Sequence, residues 1–124
     1  MSTELSVAPM GSTLVIGGTG LVGTSLVRLL AEDPAFTSVD VMSRHLPQDP
    51  TNNVKYHVGD VRDTDGIKLL LEEVKPRIIF HLVAPYHGAE PHSVRKLIVE
   101  GTRNCVKCAA ENTCLLYTSP SPRD

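Results

Sequence analysis

Residues 13–23, TLVIGGTGLVG, decide the fold, because a short apolar run leads directly into three glycines spaced three residues apart. The apolar, β-branched run predicts a buried strand, and the pattern after the glycines predicts a helix. In such a strand–turn–helix unit Gly17 allows a sharp turn, Gly20 lets the backbone approach a pyrophosphate, and Gly23 lets the helix pack closely on the strand. The helix N-terminus would face the phosphates. The unit therefore predicts a dinucleotide site, which would also include Thr19, Leu21 and Val22.

Strand-like and helix-like patterns alternate along the rest of the chain. They predict strands at residues 13–18, 37–43, 54–58 and 77–83, and helices at residues 21–32, 64–74 and 91–112. This alternation predicts an α/β fold, a Rossmann-like doubly wound parallel sheet of about four strands in the order 3-2-1-4. The predicted inner sides of the first two helices carry Val22, Leu26, Leu29 and Leu30, and Ile67, Leu70 and Leu71.

The domain organisation predicted from the sequence has three parts. Residues 1–12 are a flexible lead, residues 13–113 an incomplete dinucleotide-binding domain, and residues 114–124 a segment outside the fold. Residues 114–124 coincide with one reading frame of a transposase adapter used to prepare DNA sequencing libraries, a kind of processing scar that fold reasoning should exclude. A natural Pro-rich tail is the alternative. Under the adapter hypothesis the chain is the N-terminal fragment of a longer protein.

Composition and charge exclude several classes of protein. The chain has 124 residues, 41% of them hydrophobic and 21% charged, with a formal net charge of -2, so nothing favours nucleic acid as a partner. No apolar run approaches the roughly 20 residues of a membrane span. Three cysteines and no evident secretory signal indicate a reducing compartment. We therefore expect a cytoplasmic protein, with membrane association of a longer parent left open.

The end of the second predicted strand is where an adenosine ribose would bind. Ser43 and Arg44 fall there, and a hydroxyl and a guanidinium can both hold a phosphate. They favour NADP over NAD as the NAD(P) cofactor. Asp40, which would favour NAD, lies too early in the strand. The alternative for Arg44 is a solvated loop charge.

The end of the third predicted strand offers a place for adenine. Asp60 can accept a hydrogen bond from the adenine amino group, while the backbone of Val61 pairs with the ring. The alternative is helix capping, for which Asp63 or Thr64 is suited. Both can hold, with Asp60 at adenine and Asp63 or Thr64 at the cap.

The histidines and cysteines predict no metal site. The five histidines lack metal-ligand spacing, and His81 lies inside an apolar strand, where a packed, hydrogen-bonded role is expected. Cys105 and Cys108 have no second cysteine pair, so we expect them to be small packing residues.

Four motifs in order resemble the extended short-chain dehydrogenases. They are the glycine turn, GDVRD at residues 59–63, IFHLVAP at residues 79–85 and VEGTRN at residues 99–104. Within that superfamily the chain is most similar to the 3β-hydroxysteroid dehydrogenase/isomerase family, which includes sterol-4α-carboxylate 3-dehydrogenases. The resemblance covers roughly residues 13–112 and implies that Val83 and Ala84 also contact the cofactor.

The resemblance implies an NAD(P)-dependent oxidation of a secondary alcohol, a 3β-hydroxy sterol or steroid, to a ketone. Members of the family use a tyrosinate base, a lysine four residues later, and a serine or threonine. No lysine of this sequence stands four residues after a tyrosine, so no catalytic residue is assigned and we expect the chain alone to be inactive. Ile98 stands where the family often has asparagine. Residues 117–119, YTS, mimic the serine motif, and under the adapter hypothesis this likeness is a coincidence.

Two other functions stay open at this point. Nucleotide-sugar epimerases and dehydratases share these motifs, and Ile98 mildly favours a non-catalytic NAD(P)-binding regulator. A homodimer is also left open.

Overall fold

The computed structural model describes residues 11–17, 21–82, 91–111 and 115–118. Its elements are, in chain order, β1 (Gly11–Ile16), α1 (Leu21–Glu32), β2 (Phe36–Ser43), β3 (Val54–Val58), α2 (Thr64–Val74), β4 (Ile78–His81), α3 (Pro91–Glu111) and β5 (Leu115–Thr118). The predicted elements are all present, and α1, β3 and α2 have the predicted bounds.

The strands form one parallel sheet in the order β3-β2-β1-β4-β5. The predicted order of the first four strands is therefore confirmed. Val15 of β1 pairs with Val41 of β2 on one side and with Phe80 of β4 on the other. The chain moves outward from β1 to β3 and then returns to the opposite side of β1, so the winding direction changes between β1 and β4. Ligands of open α/β sheets bind at the carboxyl edge beside such a switch point.

Helices cover both faces of the sheet and give it two hydrophobic cores. One face packs Val15, Val39 and Val41 against α1, whose buried contributors are Val27 and Leu30. The other face packs against α2, α3 and the turn before α2 and forms the second core. The buried residues of this second core are Leu14, Ile16, Met42, Val61, Ile67, Leu70, Leu71, Ile79, Cys105 and Cys108. The predicted buried residues of α2 are all confirmed.

The predicted inner side of α1 is wrong at one position. Leu29 is 67% exposed, whereas its neighbour Val27 is 1% exposed and lies in the core. The helix is rotated so that Val27 and Leu30 face the valines of the sheet, with Leu26 partly buried beside them. The side chain of Val22, the fourth residue predicted for this face, lies outside the described residues.

Strand β1 begins at Gly11, so the last two residues of the predicted flexible lead belong to the sheet. The backbone N–H of Gly11 donates to the carbonyl of Ala35, and the carbonyl of Ser12 accepts from the backbone N–H of Arg77. The Ser12 hydroxyl also donates to the carbonyl of Lys75. These partners are distant in sequence, and a local apolar pattern cannot indicate them.

Strand β5 lies within the segment that the sequence assigned to a tail. Its four residues, LLYT, pair in parallel with β4 from Ile78↔Leu115 to His81↔Thr118. It occupies the edge of β4 that the sequence left without a neighbour, and an apolar strand edge favours such pairing. The adapter origin of residues 114–124 stays a prediction.

The described helices include none with the length and apolar character needed to cross a bilayer.

Two leucines on one helix test the packing of the second core. Leu71 is 1% exposed and Leu69 is 67% exposed, and both lie in α2. Replacement of Leu71 by alanine leaves a cavity, so we expect L71A to lower the free energy of unfolding by about 2–5 kcal/mol. The matched control L69A has the same change in helix propensity and should cost less than about 1 kcal/mol. Urea unfolding measures both variants, and equal losses would contradict the packing described here.

Candidate functional site

The turn after β1 stands at the switch point of the sheet. Gly17 has a φ of 87°, a left-handed conformation that favours glycine because a Cβ would be strained there. Its N–H donates to the carbonyl of Met42 at 2.8 Å, and the N–H of Leu82 donates to the carbonyl of Ile16 at 2.7 Å. These two bonds connect the carboxyl ends of β1, β2 and β4. The chain therefore turns off β1 where a dinucleotide site was predicted.

Helix α1 begins four residues after this turn. Leu21 and Val22 form its first turn, and Gly23 is buried. A buried glycine at this point allows the close helix–sheet approach that the sequence predicted. Thr19 and Gly20 lie outside the described residues, as do Val83 and Ala84.

The end of β2 presents one charged side chain. Ser43 is the last residue of the strand and is buried, and its hydroxyl donates to the carbonyl of His45 at 2.5 Å. Its carbonyl accepts from the N–H of Gly59 at 2.9 Å, which holds the ends of β2 and β3 together. Arg44 follows and is exposed. Of the two residues predicted for a 2′-phosphate, Arg44 offers an exposed group, whereas the Ser43 hydroxyl already donates to a backbone carbonyl.

The rival residue Asp40 lies inside β2, away from the strand end. It pairs in register with Lys55, and its carboxylate Oδ2 lies 2.7 Å from Nε2 of His57 on β3. The Asp40 side chain is largely buried in this contact. The expectation that Asp40 comes too early in the strand to meet a ribose stays a prediction.

Asp60, just after β3, has a carboxylate bound by its own turn. Its Oδ1 accepts from the backbone N–H of Arg62 at 2.9 Å and from Nε at 3.0 Å, and its Oδ2 accepts from Nη2 at 2.7 Å. The side-chain hydrogen bonds of Arg62 lower the pKa of Asp60 to about 2 against an opposing effect of partial burial. The backbone N–H of Arg62 and the charges of Arg62 and Arg44 also contribute to this lowering of the Asp60 pKa. The carboxylate is therefore ionised, and Oδ2 retains acceptor capacity because a carboxylate oxygen has two lone pairs.

The capping alternative is confirmed for Asp63 rather than Thr64. Asp63 is the N-cap of α2, and its Oδ1 accepts from the N–H of Gly66 at 3.1 Å. The two acidic residues of this loop thus have different partners, since Asp60 binds Arg62 and Asp63 caps the helix.

Val61 is held by helix α3. It is 6% exposed, and its carbonyl accepts from Nδ2 of Asn104 at 3.0 Å. A Cβ added to Gly101 would lie 2.7 Å from Cγ2 of Val61, so the glycine allows the helix to approach this closely. Gly101 and Asn104 belong to the VEGTRN motif of the sequence, and that motif alone predicted no role for either residue. Their spacing of three residues, which places both on one side of a helix, was the available signal.

His81, Cys105 and Cys108 are buried, as expected for packed residues. Burial lowers the pKa of His81 to about 4 and raises the pKa of Cys105 to about 12. At neutral pH the imidazole therefore carries no charge and the thiol stays protonated. Among the described residues, no three His, Cys, Asp or Glu side chains are grouped to hold a metal ion.

The structure thus gathers the described candidate residues at one edge of the sheet. Gly17, Ser43 and Asp60 mark the carboxyl ends of β1, β2 and β3, with Arg44 and Val61 next to them. A left-handed glycine turn, a helix N-terminus and an exposed guanidinium suit an anionic ligand, and an ionised carboxylate suits a hydrogen-bond donor such as an amino group.

The sequence profile of the 3-beta hydroxysteroid dehydrogenase/isomerase family matches residues 14–121. The chain belongs to this family. The match includes the glycine turn, both acidic residues of the loop after β3, and Gly101 and Asn104 of α3.

A curated relative agrees with this membership of the 3-beta hydroxysteroid dehydrogenase/isomerase family. The chain is 29% identical over 120 residues to the decarboxylating sterol-4-alpha-carboxylate 3-dehydrogenase of Saccharomyces cerevisiae, an alignment that covers 87% of this chain and 34% of that protein. The chain spans about a third of the length of the curated relatives from three yeasts that it matches.

Two solved structures show the same fold. L-threonine dehydrogenase from Clostridium difficile superposes with a TM-score of 0.79 at 22% identity, and covers 88% of this chain and 36% of its own. The Bordetella bronchiseptica enzyme WbmG, in complex with NAD, superposes with a TM-score of 0.77 at 19% identity, and covers 94% of this chain and 39% of its own. At these identities the likeness concerns the fold alone.

The contact between Asp60 and Arg62 generates a prediction about stability and pH. Because the folded pKa of Asp60 is lowered, its contribution is present above the ordinary aspartate pKa of about 3.9 and is lost as the pH falls toward about 2. The side chain is 32% exposed, so solvent screening limits the effect. We expect D60N to lower the free energy of unfolding by about 1 kcal/mol at neutral pH, with the difference from the unmodified chain shrinking as the pH falls toward about 2.

The control is D49N, which removes an exposed carboxylate from the loop after β2. Urea unfolding of the three chains at several pH values between about 2 and 7 makes the comparison. A D60N difference that persists unchanged at the lowest pH would show that the ionised carboxylate is not the source of the stability.

Proposed function

We propose that this chain is the cofactor-binding part of an NAD(P)-dependent oxidoreductase that acts on a CH–OH group. The observation that carries the proposal is the left-handed Gly17 turn at the switch point of the parallel sheet, followed by α1. Backbone N–H groups at a helix N-terminus favour the pyrophosphate of a dinucleotide. Membership of the 3-beta hydroxysteroid dehydrogenase/isomerase family supports the same function.

In this proposal each part of the cofactor has its own residues. The pyrophosphate lies against the glycine turn and the start of α1, with Gly17, Thr19, Gly20, Leu21, Val22 and Gly23. The adenine amino group donates to Asp60, and the ring pairs with the backbone of Val61. Val83 and Ala84, which follow β4, contact the remaining part of the cofactor. When bound, the oxidised dinucleotide would supply a hydride acceptor for the oxidation of the alcohol.

The proposed substrate class is a 3β-hydroxy sterol or steroid, oxidised to the 3-ketone. The support is the similarity to sterol-4-alpha-carboxylate 3-dehydrogenases of yeasts. No tyrosine of the sequence precedes a lysine by four residues, so the base of the reaction is not assigned to this chain. The proposed cofactor-binding residues of this chain would bind and orient the dinucleotide.

Gly11, the first residue of β1, and Gly17, which directly follows the strand, allow a matched test of cofactor binding. Gly11 and Gly17 both have a φ of 87°, but they stand at opposite ends of the strand. Alanine should strain the backbone similarly at both sites. We expect G17A to weaken binding of NADH and NADPH at least about tenfold, a loss of about 1.4 kcal/mol. G11A should retain the affinity of the unmodified chain, because Gly11 lies at the start of β1, at the opposite end of the strand from the glycine turn.

Nicotinamide fluorescence measures the affinities, and thermal unfolding by circular dichroism shows that each chain is folded. Equal weakening in both variants would mean that Gly17 acts only through stability. A folded chain that binds neither dinucleotide would overturn the proposed function.

We further propose a preference for NADP, based on Arg44. Arg44 is exposed at the end of β2. The competing residue, Asp40, lies within β2, and its carboxylate contacts His57 of β3. A fixed positive charge at this point favours a 2′-phosphate over a free hydroxyl.

The preference is tested by removing the charge of Arg44. We expect R44Q to weaken NADPH binding about tenfold or more, the size of a charge-assisted hydrogen bond, with a smaller effect on NADH. The matched control R28Q removes an exposed arginine from α1 and should change neither affinity. Binding of NADH equal to or tighter than NADPH by the unmodified chain would contradict the preference.

A further inference from the structure

Helix α3 contacts the loop between β3 and α2 at two positions one turn apart. Asn104 donates from Nδ2 to the carbonyl of Val61 at 3.0 Å. Gly101 lies so close to Val61 that an added Cβ would stand 2.7 Å from its Cγ2 and 3.1 Å from its Cβ. The loop residue is therefore held by a hydrogen bond at its backbone and by close packing at its side chain.

These contacts fix one peptide plane of the loop. The peptide between Val61 and Arg62 is held on both sides, because its carbonyl accepts from Asn104 and its N–H donates to Oδ1 of Asp60 at 2.9 Å. A peptide group is planar, so two partners on opposite sides determine its orientation. The Asp60 carboxylate is consequently oriented against a peptide that α3 holds in place.

The preceding peptide is oriented by Asp63, the N-cap of α2. The carbonyl of Asp60 accepts from the N–H of Asp63 at 2.9 Å. In a trans peptide the N–H points opposite to the carbonyl, so the N–H of Val61 points away from Asp63. The orientations of the Asp60 carboxylate and of the Val61 N–H thus depend on the same short loop.

We propose that Asn104 is a positioning residue for base recognition, acting through Val61 and Asp60 on the adenine end of the cofactor. This inference rests on the proposed function. Asn104 does not touch the adenine itself. It holds the loop so that an acceptor, the Asp60 carboxylate, and a donor, the Val61 N–H, face the amino group and the ring nitrogen together.

Discrimination between two bases separates this role from a merely structural one. Hypoxanthine carries a carbonyl where adenine has its amino group, and a protonated nitrogen where adenine has an acceptor. A correctly held loop should therefore bind NADH more tightly than reduced nicotinamide hypoxanthine dinucleotide. A loss of stability alone would weaken the binding of both ligands to the same extent and leave the ratio of their affinities unchanged.

The experiment compares the affinity ratio of these two ligands in the full 124-residue chain and its variants. N104L removes the donor at similar size, and N104D replaces it with an acceptor, so one of them remains informative if the other folds poorly. We expect both to lower the ratio about threefold to tenfold, the range of a neutral hydrogen bond. The control R103L introduces the same leucine at the neighbouring exposed position of α3 and should keep the ratio.

The outcomes distinguish this inference from the proposed function. If the unmodified chain binds neither ligand, the proposed function fails. If it binds both ligands equally, or if the folded Asn104 variants keep the ratio, dinucleotide binding stands and the role of Asn104 in base recognition is overturned.

Discussion

The double pairing of β1 is the constraint on which the rest of the structure depends. This strand is hydrogen-bonded to β2 on one side and to β4 on the other, and its residues from Thr13 to Ile16 are at most 1% exposed. A parallel strand in this position needs crossovers over the faces of the sheet, which is why helices cover both faces. It also fixes where the winding direction changes. The glycine turn can serve a ligand because β1 ends at that point, between two neighbours.

The sequence predicted best those elements whose limits are set by local chemistry. Helix α2 has the predicted bounds, since Asp63 caps its start and Lys75 takes a left-handed conformation at its end. The sequence-based predictions were wrong where residues distant in sequence set the start of a strand or the buried face of a helix. The N–H of Gly11 donates to the carbonyl of Ala35, and the carbonyl of Ser12 accepts from the N–H of Arg77, which extends β1 to Gly11. The valines of the sheet select Val27 rather than Leu29 as the buried residue of α1.

The candidate site shows the same division between local and distant information. The glycine turn and the acidic loop are read from adjacent residues, and the structure places both at the carboxyl edge of the sheet. The bond from Asn104 to Val61 joins residues 43 positions apart, and no spacing within the loop indicates it. Arg62 is an intermediate case, because it is two residues from Asp60 but binds it only in a particular turn conformation.

The burial of the α3 thiols has a consequence for redox chemistry. The thiolate is the form that reacts with oxidants, and burial raises the pKa of Cys105 to about 12 and raises the pKa of Cys108 as well. Both side chains lie in the core beneath α3, at most 1% exposed. An oxidant can therefore reach them only after the helix has separated from the sheet. Oxidised Cys105 or Cys108 would therefore indicate that the fold had already opened, because the intact fold protects both thiols from oxidation.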